Sequence, residues 1–176
     1  EQWIGYIKNS MAKVASNFTT TRMMIDYENK YYTKLQNRVA QIKKDDFQMA
    51  KELASWKKSV SRNWENIEIV SIKQFDISKE PIVIGEKYTA SIQIKLNGLS
   101  VEDIGVELVV AEPVDSNQVT VRHTQEFKIV EDSNNVVTYE LEIIPTEPGV
   151  FDAGIRIYAK NPNLPHRQDF CMVKWI

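Results

Sequence analysis

The sequence predicts a mixed architecture, with an N-terminal helical segment of about three helices over residues 1–65 and an all-β antiparallel sandwich of about seven strands over residues 66–176. Three observations predict it. Apolar residues recur at spacings of three and four as far as Trp64, then at spacings of two from Ile67 onward. No glycine or proline lies between residues 6 and 80, which suits helices that run into a strand without a loose linker. In the second part, clusters of Pro, Gly, Asn, Asp and Ser divide the alternating runs at short intervals.

The first helix carries the stripe Trp3, Ile4, Ile7, Met11 and Val14 and ends near "SNF". Glu1 and Gln2 lead straight into it without a cap or an initiator Met, as expected of a piece cut from a longer chain. In "TTTRMMIDYENKYY", Thr19, Thr20 or Thr21 can cap the first turn, and Met23, Met24, Tyr27, Tyr31 and Leu35 then form an aromatic and thioether face. The third helix opens at "KKDDF", where Asp45 and Asp46 suit a positive helix N-terminus. Phe47, Ala50, Leu53, Ala54, Trp56, Val60 and Trp64 give it a long apolar side.

The strand "YTASIQIKL" sets Tyr88, Ala90, Ile92, Ile94 and Leu96 against Thr89, Ser91, Gln93 and Lys95. The same alternation predicts strands in "IGVELVV", "VTVRHTQEFKIV", "VVTYELEII", "FDAGIRIYA" and "QDFCMVKWI". In "IEIVSIKQFDI" the apolar set shifts from Val70 and Ile72 to Phe75 and Ile77, as a bulge or bend requires. Turns are expected at "KEPIVIGE", "NGLS", "EPVDSN", "EDSNN", "PTEPG" and "NPNLP". Seven such strands imply a sandwich resembling immunoglobulin or fibronectin type III modules.

At 176 residues, 43% hydrophobic, with a formal charge of -2, the chain can bury a core and offers nothing that favours nucleic acid or an anionic membrane. The dense basic pair Lys57 and Lys58 reads as a solvated helix face. A single cysteine, Cys171, excludes an internal disulfide and points to a reducing intracellular compartment. No apolar run is long enough to span a bilayer, and the first residues lack the plan of a signal peptide.

Convergent chemistry is sparse. His123 falls in a strand and reads as structural, and His166, in the Pro-flanked "LPHRQD", reads as bracing its loop. Cys171 sits in an apolar alternation and is expected to be a buried small residue. "SVED" imitates a capping box, and the adjacent carboxylates Asp45 with Asp46 and Glu131 with Asp132 read as solvated charge. No phosphate loop, nucleophile elbow or zinc pattern occurs. Sandwiches hold glycans on exposed rings, and the candidates are Tyr158, on the more polar side of its strand with Arg156, and Trp175; burial in a core or interface is the favoured reading of both.

Taken together, these residues resemble the α-glucan (glycogen or maltodextrin) phosphorylases, of a bacterial type with an additional C-terminal β domain. Trp3, Ser10, Phe18, Arg22, Met23, Tyr27, Tyr31 and Tyr32 fall on the family's pattern at the end of its catalytic region. "AKELASWKKSVSRNW" resembles the next family helix; "NGLSVEDIGVELVVAEPVDSN" and "NPNLPHRQDFCMVKW" resemble the β domain. The resemblance implies that Arg22, Met23, Tyr27 and Tyr31 form an interdomain contact with the catalytic body. It implies a cytoplasmic parent enzyme, a glycosyltransferase that uses phosphate and pyridoxal phosphate to release glucose 1-phosphate from an α-1,4-glucan. The cofactor's Asn-Met-Lys segment does not occur in this chain, so no catalytic, cofactor or metal residue is expected here. The expected partners are the rest of the parent chain, the glucan and a second copy. A self-standing glycan-binding or protein-interaction module is the alternative.

Overall fold

A computed structural model describes residues 2–15, 17–73, 82–115, 118–133 and 135–176. The chain forms two compact units, residues 1–52 and residues 53–176. Ser16, Phe75, Ile77 and the parts of the expected turns at residues 79–81, 116–117 and 134 lie outside the described residues.

In the first unit, helix α1 (Gln2–Asn9) passes into a π-helical turn (Ser10–Ala15). Helix α2 (Thr20–Tyr27) follows, and a second π turn (Glu28–Tyr32) joins it to α3 (Thr33–Lys43). Where the sequence predicts about three helices, the described residues thus form four α-helical segments, counting α4 (Gln48–Asn63), with π turns between some of them. Thr19 takes the cap: its extended backbone frees Oγ1 to accept from the Arg22 N–H at 3.2 Å. The opening of α4 departs from expectation. Asp45, Asp46 and Phe47 have φ of 51°, 52° and 61°, a left-handed turn between α3 and α4, so Phe47 lies before the helix and is exposed.

The second unit holds the end of α4 and eight described strands, β1 (Glu68–Lys73), β2 (Tyr88–Lys95), β3 (Ile104–Pro113), β4 (Val119–Glu126), β5 (Lys128–Ser133), β6 (Val136–Ile143), β7 (Asp152–Ala159) and β8 (Val173–Trp175). They form two antiparallel sheets of four, ordered β1-β2-β6-β5 and β4-β3-β7-β8. Both sheets contribute to one buried cluster, with Ile92, Ile94 and Val137 from the first and Val106, Leu108 and Ile157 from the second. Val60 near the end of α4 and Trp64 in the 3₁₀ turn that follows it (Trp64–Asn66) are buried in the same cluster, and Trp56 packs against it while donating from Nε1 to Asp103 Oδ1 at 2.8 Å.

The eighth strand arises because the run "VTVRHTQEFKIV" serves both sheets. β4 pairs with β3 and β5 with β6, and the chain crosses between them at buried Phe127, whose N–H donates to the Val106 carbonyl at 2.8 Å. Period-two alternation reads continuously through such a crossing and cannot reveal it. In β1 the register shifts between Ile69 and Ser71, and Val70 and Ile72 face outward, contrary to their expected burial; Ile67 joins the core instead. "QDFCMVKWI" is mostly not strand: Arg167–Phe170 forms a 3₁₀ turn and only Val173–Trp175 pairs with β7.

Candidate functional site

The most elaborate polar arrangement among the described residues lies on the face of the second sheet turned away from the shared core. In the register of β3 and β7, Gly105 faces Tyr158 and Glu107 faces Arg156. Glu107 is only 2% exposed. Arg156 Nε donates to its Oε1 at 2.7 Å, and Arg167 Nη1 donates to both carboxylate oxygens at 2.9 Å. A buried carboxylate needs such partners, because removing it from water is costly unless charge and lone pairs are answered.

Arg167 reaches this position because the 3₁₀ turn folds back over the sheet. His166 caps that turn: its Nδ1 accepts from the Gln168 N–H at 3.1 Å, and Asp169 Oδ2 accepts from the His166 N–H at 3.0 Å. The guanidinium carbon of Arg167 then lies 4.1 Å from the centroid of the Tyr158 ring, a close cation–π contact. Tyr158 Oη accepts from Arg167 Nη2 at 3.1 Å and donates to Glu126 Oε1 at 3.1 Å, and Lys160 pairs with that same oxygen. Gly105 makes room for the ring, since a Cβ there would stand 2.3 Å from Tyr158 Cζ.

The electrostatics follow from this packing. Burial, then the Glu126 carboxylate, pushes the Tyr158 phenol well above its usual range, with Arg167 opposing. Burial would lower Arg167, but the Glu107 hydrogen bond and the neighbouring Tyr158 and Glu126 outweigh it and hold the guanidinium above its ordinary value. On β6, burial, Asp132 and Glu126 push the Tyr139 phenol up to about 12. Both phenols keep their protons at neutral pH.

Beside this network opens a cleft of about 790 Å³, lined among others by Glu126, Phe127, Tyr139, Tyr158, Lys160 and Arg167. The pairing of β3 with β4 stops at Glu107 and Glu126, where the chain leaves for the other sheet, and the cleft lies at that crossing. The hydroxyl of Tyr139 is buried with no hydrogen-bond partner, alone in this among the described residues. Such an arrangement can hold a polar ligand. It sets no nucleophile against a base, and the described residues hold no group of three metal-binding side chains.

The residues singled out from sequence are distributed over both units. Tyr158 lies on the polar side with Arg156 and is only 5% exposed, because the loop bearing Arg167 covers it. Trp175 is 58% exposed, packed beside Gly154 with Arg156 Cζ 5.4 Å from its ring centroid. Arg22, Met23, Tyr27 and Tyr31 all lie on α2 and the π turn after it, with the latter three half exposed. The wider π turn lets Tyr27 meet both Tyr31 and Tyr32, with centroids 6.1 and 6.5 Å away.

His166 braces its loop, whereas Cys171 is exposed rather than buried: it follows the 3₁₀ turn, and its Sγ donates to the Gln168 carbonyl. Lys57 is not simply solvated, since Nζ lies 5.5 Å from the Phe170 ring centroid and donates to the Asp169 carbonyl. Sequence reasoning missed Glu107, Glu126, Tyr139, Lys160 and Arg167. The available signal was the lone acid within "IGVELVV", but its partners lie 49 and 60 residues away and are unknowable without register.

Comparison with known proteins places the chain. The glycogen phosphorylase C-terminal domain matches residues 64–176. The maltodextrin phosphorylase of Thermococcus litoralis is 25% identical over 178 residues, covering 99% of this chain and 20% of that protein. The glycogen phosphorylases of Mycobacterium bovis and Mycobacterium tuberculosis are 23% and 22% identical over 165 residues, covering 94% of this chain and 17% of each of theirs. The chain therefore spans about a fifth or less of the length of these curated relatives. With more than half of its residues matched by that domain, the chain belongs to the glycogen phosphorylase C-terminal domain family.

Proposed function

We propose that this chain is the non-catalytic C-terminal portion of an α-glucan phosphorylase, and that its helical unit braces the catalytic body of that enzyme. One observation carries the reading. Among the described side chains of residues 3–52 none is buried, while Trp3, Tyr6, Phe18, Met24, Tyr32 and Leu35 are each more than half exposed. Apolar surface of this extent is costly in water, at about 25 cal/mol per Å², and marks a surface meant to be covered. Relatives about five times as long supply the candidate cover, and Arg22, Met23, Tyr27 and Tyr31 would lie within that contact.

In this reading the whole enzyme is cytoplasmic and uses phosphate and pyridoxal phosphate to release glucose 1-phosphate from an α-1,4-glucan. The chain itself contributes no catalytic group and holds no cofactor, and its β domain braces the enzyme or helps place the glucan. The domain boundary falls near residue 65, supported by the family match beginning at residue 64, although the last turns of α4 pack into the β core. An immunoglobulin-like topology is supported by strand order: β1-β2-β6-β5 follows A-B-E-D, and β4-β3-β7-β8 follows C′-C-F-G. No helix of the described residues is long and apolar enough to cross a membrane.

The test is to capture the native protein from its source cells with an antibody against this domain, then record intact mass and visible absorbance. The expected result is a species several times heavier than 20.4 kDa that carries pyridoxal phosphate. A free species near 20.4 kDa without the cofactor overturns the reading and leaves a fold analogy, with a self-standing binding module as its replacement.

A further inference from the structure

We propose that residues 161–172 form a strap that couples α4 to the outer face of the second sheet, so that Arg167 stays seated on Glu107 and Tyr158 only while α4 holds the strap from its other side. The strap is closed at its base. The Ala159 N–H donates to the Met172 carbonyl at 3.0 Å, and the Lys160 N–H donates to the Asp103 carbonyl at 2.8 Å. A loop whose ends are pinned in this way keeps or loses its place according to what its middle touches.

The middle is the capped 3₁₀ turn, in which the Asp169 N–H also donates to the His166 carbonyl at 3.1 Å. Arg167 and Phe170 stand three residues apart on it, the spacing at which side chains of a 3₁₀ turn line up, yet they hold different elements. Arg167 is bound by the Glu107 carboxylate and lies over the Tyr158 ring. Phe170 meets Trp56 of α4 edge to face, with centroids 5.2 Å apart. Lys57 of α4 lies 5.5 Å from the Phe170 centroid and donates from Nζ to the Asp169 carbonyl at 3.1 Å. A turn of four residues braced by its own hydrogen bonds moves as one body, so a displacement at Phe170 is also a displacement at Arg167. Trp56 adds a second path, since the Asp103 that accepts from its Nε1 also anchors Lys160 at the base of the strap.

The strap governs the cleft. Pro162, Leu164 and Arg167 form part of its lining, and the guanidinium covers Tyr158. Lifting the strap opens that wall, bares the Tyr158 ring and leaves the buried Glu107 with Arg156 as its remaining cation. The last of these is costly for a carboxylate out of reach of water, so the closed state is the resting one. Residues Gln48–Glu52 of α4 belong to the first unit and its later turns to the second, so a force on the helix outside the β domain reaches the strap through Trp56 and Lys57. That such a force comes from a catalytic body rests on the phosphorylase reading; the coupling rests on contacts within residues 53–176.

The test is native-state amide exchange by NMR on the 176-residue chain, with site-resolved hydroxyl-radical labelling of its aromatic rings. Phe170→Ala cuts the hold on α4 and leaves Arg167 and Glu107 in place. It is expected to speed exchange at Gln168 and Asp169 about five- to tenfold, as loss of an aromatic pair implies, and to raise labelling of Tyr158 about twofold. Arg167→Gln cuts the hold on the sheet. It is expected to speed the same amides about tenfold or more and, because coupling is reciprocal, to raise labelling of Phe170 at the far hold. Unchanged Tyr158 labelling in Phe170→Ala, or unchanged Phe170 labelling in Arg167→Gln, overturns the coupling, because each hold would then act on its own end alone. Exchange at the core residues Ile92 and Ile157 reports whether the fold is kept. If Phe170→Ala loses it, Lys57→Ala carries the same test with both rings in place, with about threefold faster exchange at Gln168 and Asp169 expected and an unchanged rate overturning the proposal. None of these outcomes depends on the mass or cofactor of the native protein, so this proposal and the phosphorylase reading can fail separately.

Discussion

Glu107 shows how much one side chain can organise. A carboxylate buried between two guanidinium groups is stable only while both stay, and removing its charge leaves Arg156 and Arg167 facing an uncharged amide. Glu107→Gln is expected to cost about 2–3 kcal/mol, read as a lower urea midpoint; an unchanged midpoint would show that the pairs contribute nothing net. Tyr139 gives a prediction in pH. Its folded pKa of about 12 lies above the ordinary 10, so the native state keeps a proton that the unfolded state sheds. That contribution is intact below about pH 10 and is lost as pH rises through about 12. Melting temperatures between pH 9 and 11.5 should fall less steeply in Tyr139→Phe than in the parent sequence, although Tyr158, shifted the same way, keeps part of the slope.

Among the elements, the crossing from β4 to β5 decides most. It ties the sheets together, ends the β3–β4 pairing and creates the cleft. Phe127 fixes the crossing by filling the core from a position that belongs to neither strand. Phe127→Ala is expected to cost about 3–5 kcal/mol by urea unfolding, since a cavity there touches both sheets. A loss below about 1 kcal/mol would mean the crossing is held by its backbone bond to Val106 and not by the ring.

At the scale of the whole molecule the two units differ in kind. Residues 53–176 have a core of their own, with side chains such as Ile92, Ile94 and Val106 fully buried. Among the described residues of the first unit the large apolar side chains meet solvent. Replacing Met24 and Leu35 together by Lys is expected to reduce self-association of the 176-residue chain in light scattering. In the full-length phosphorylase of the proposed reading the same pair should lower the melting temperature. Equal association of both forms of the short chain would show that this face is not what holds copies together.

The residues by themselves determined the change from helical to strand spacing near residue 66, that one of Thr19, Thr20 and Thr21 caps α2, which the structure makes Thr19, and a family resemblance that the matched domain bears out. These are local properties, set by capping hydrogen bonds and side-chain period within a few residues. Only the tertiary structure decided that one alternating run is split between two sheets, that Tyr158 is covered, that Cys171 is exposed, and that Glu107 meets Arg156 and Arg167. Each depends on register or on a loop folding back across the sheet, between residues that spacing along the chain does not relate.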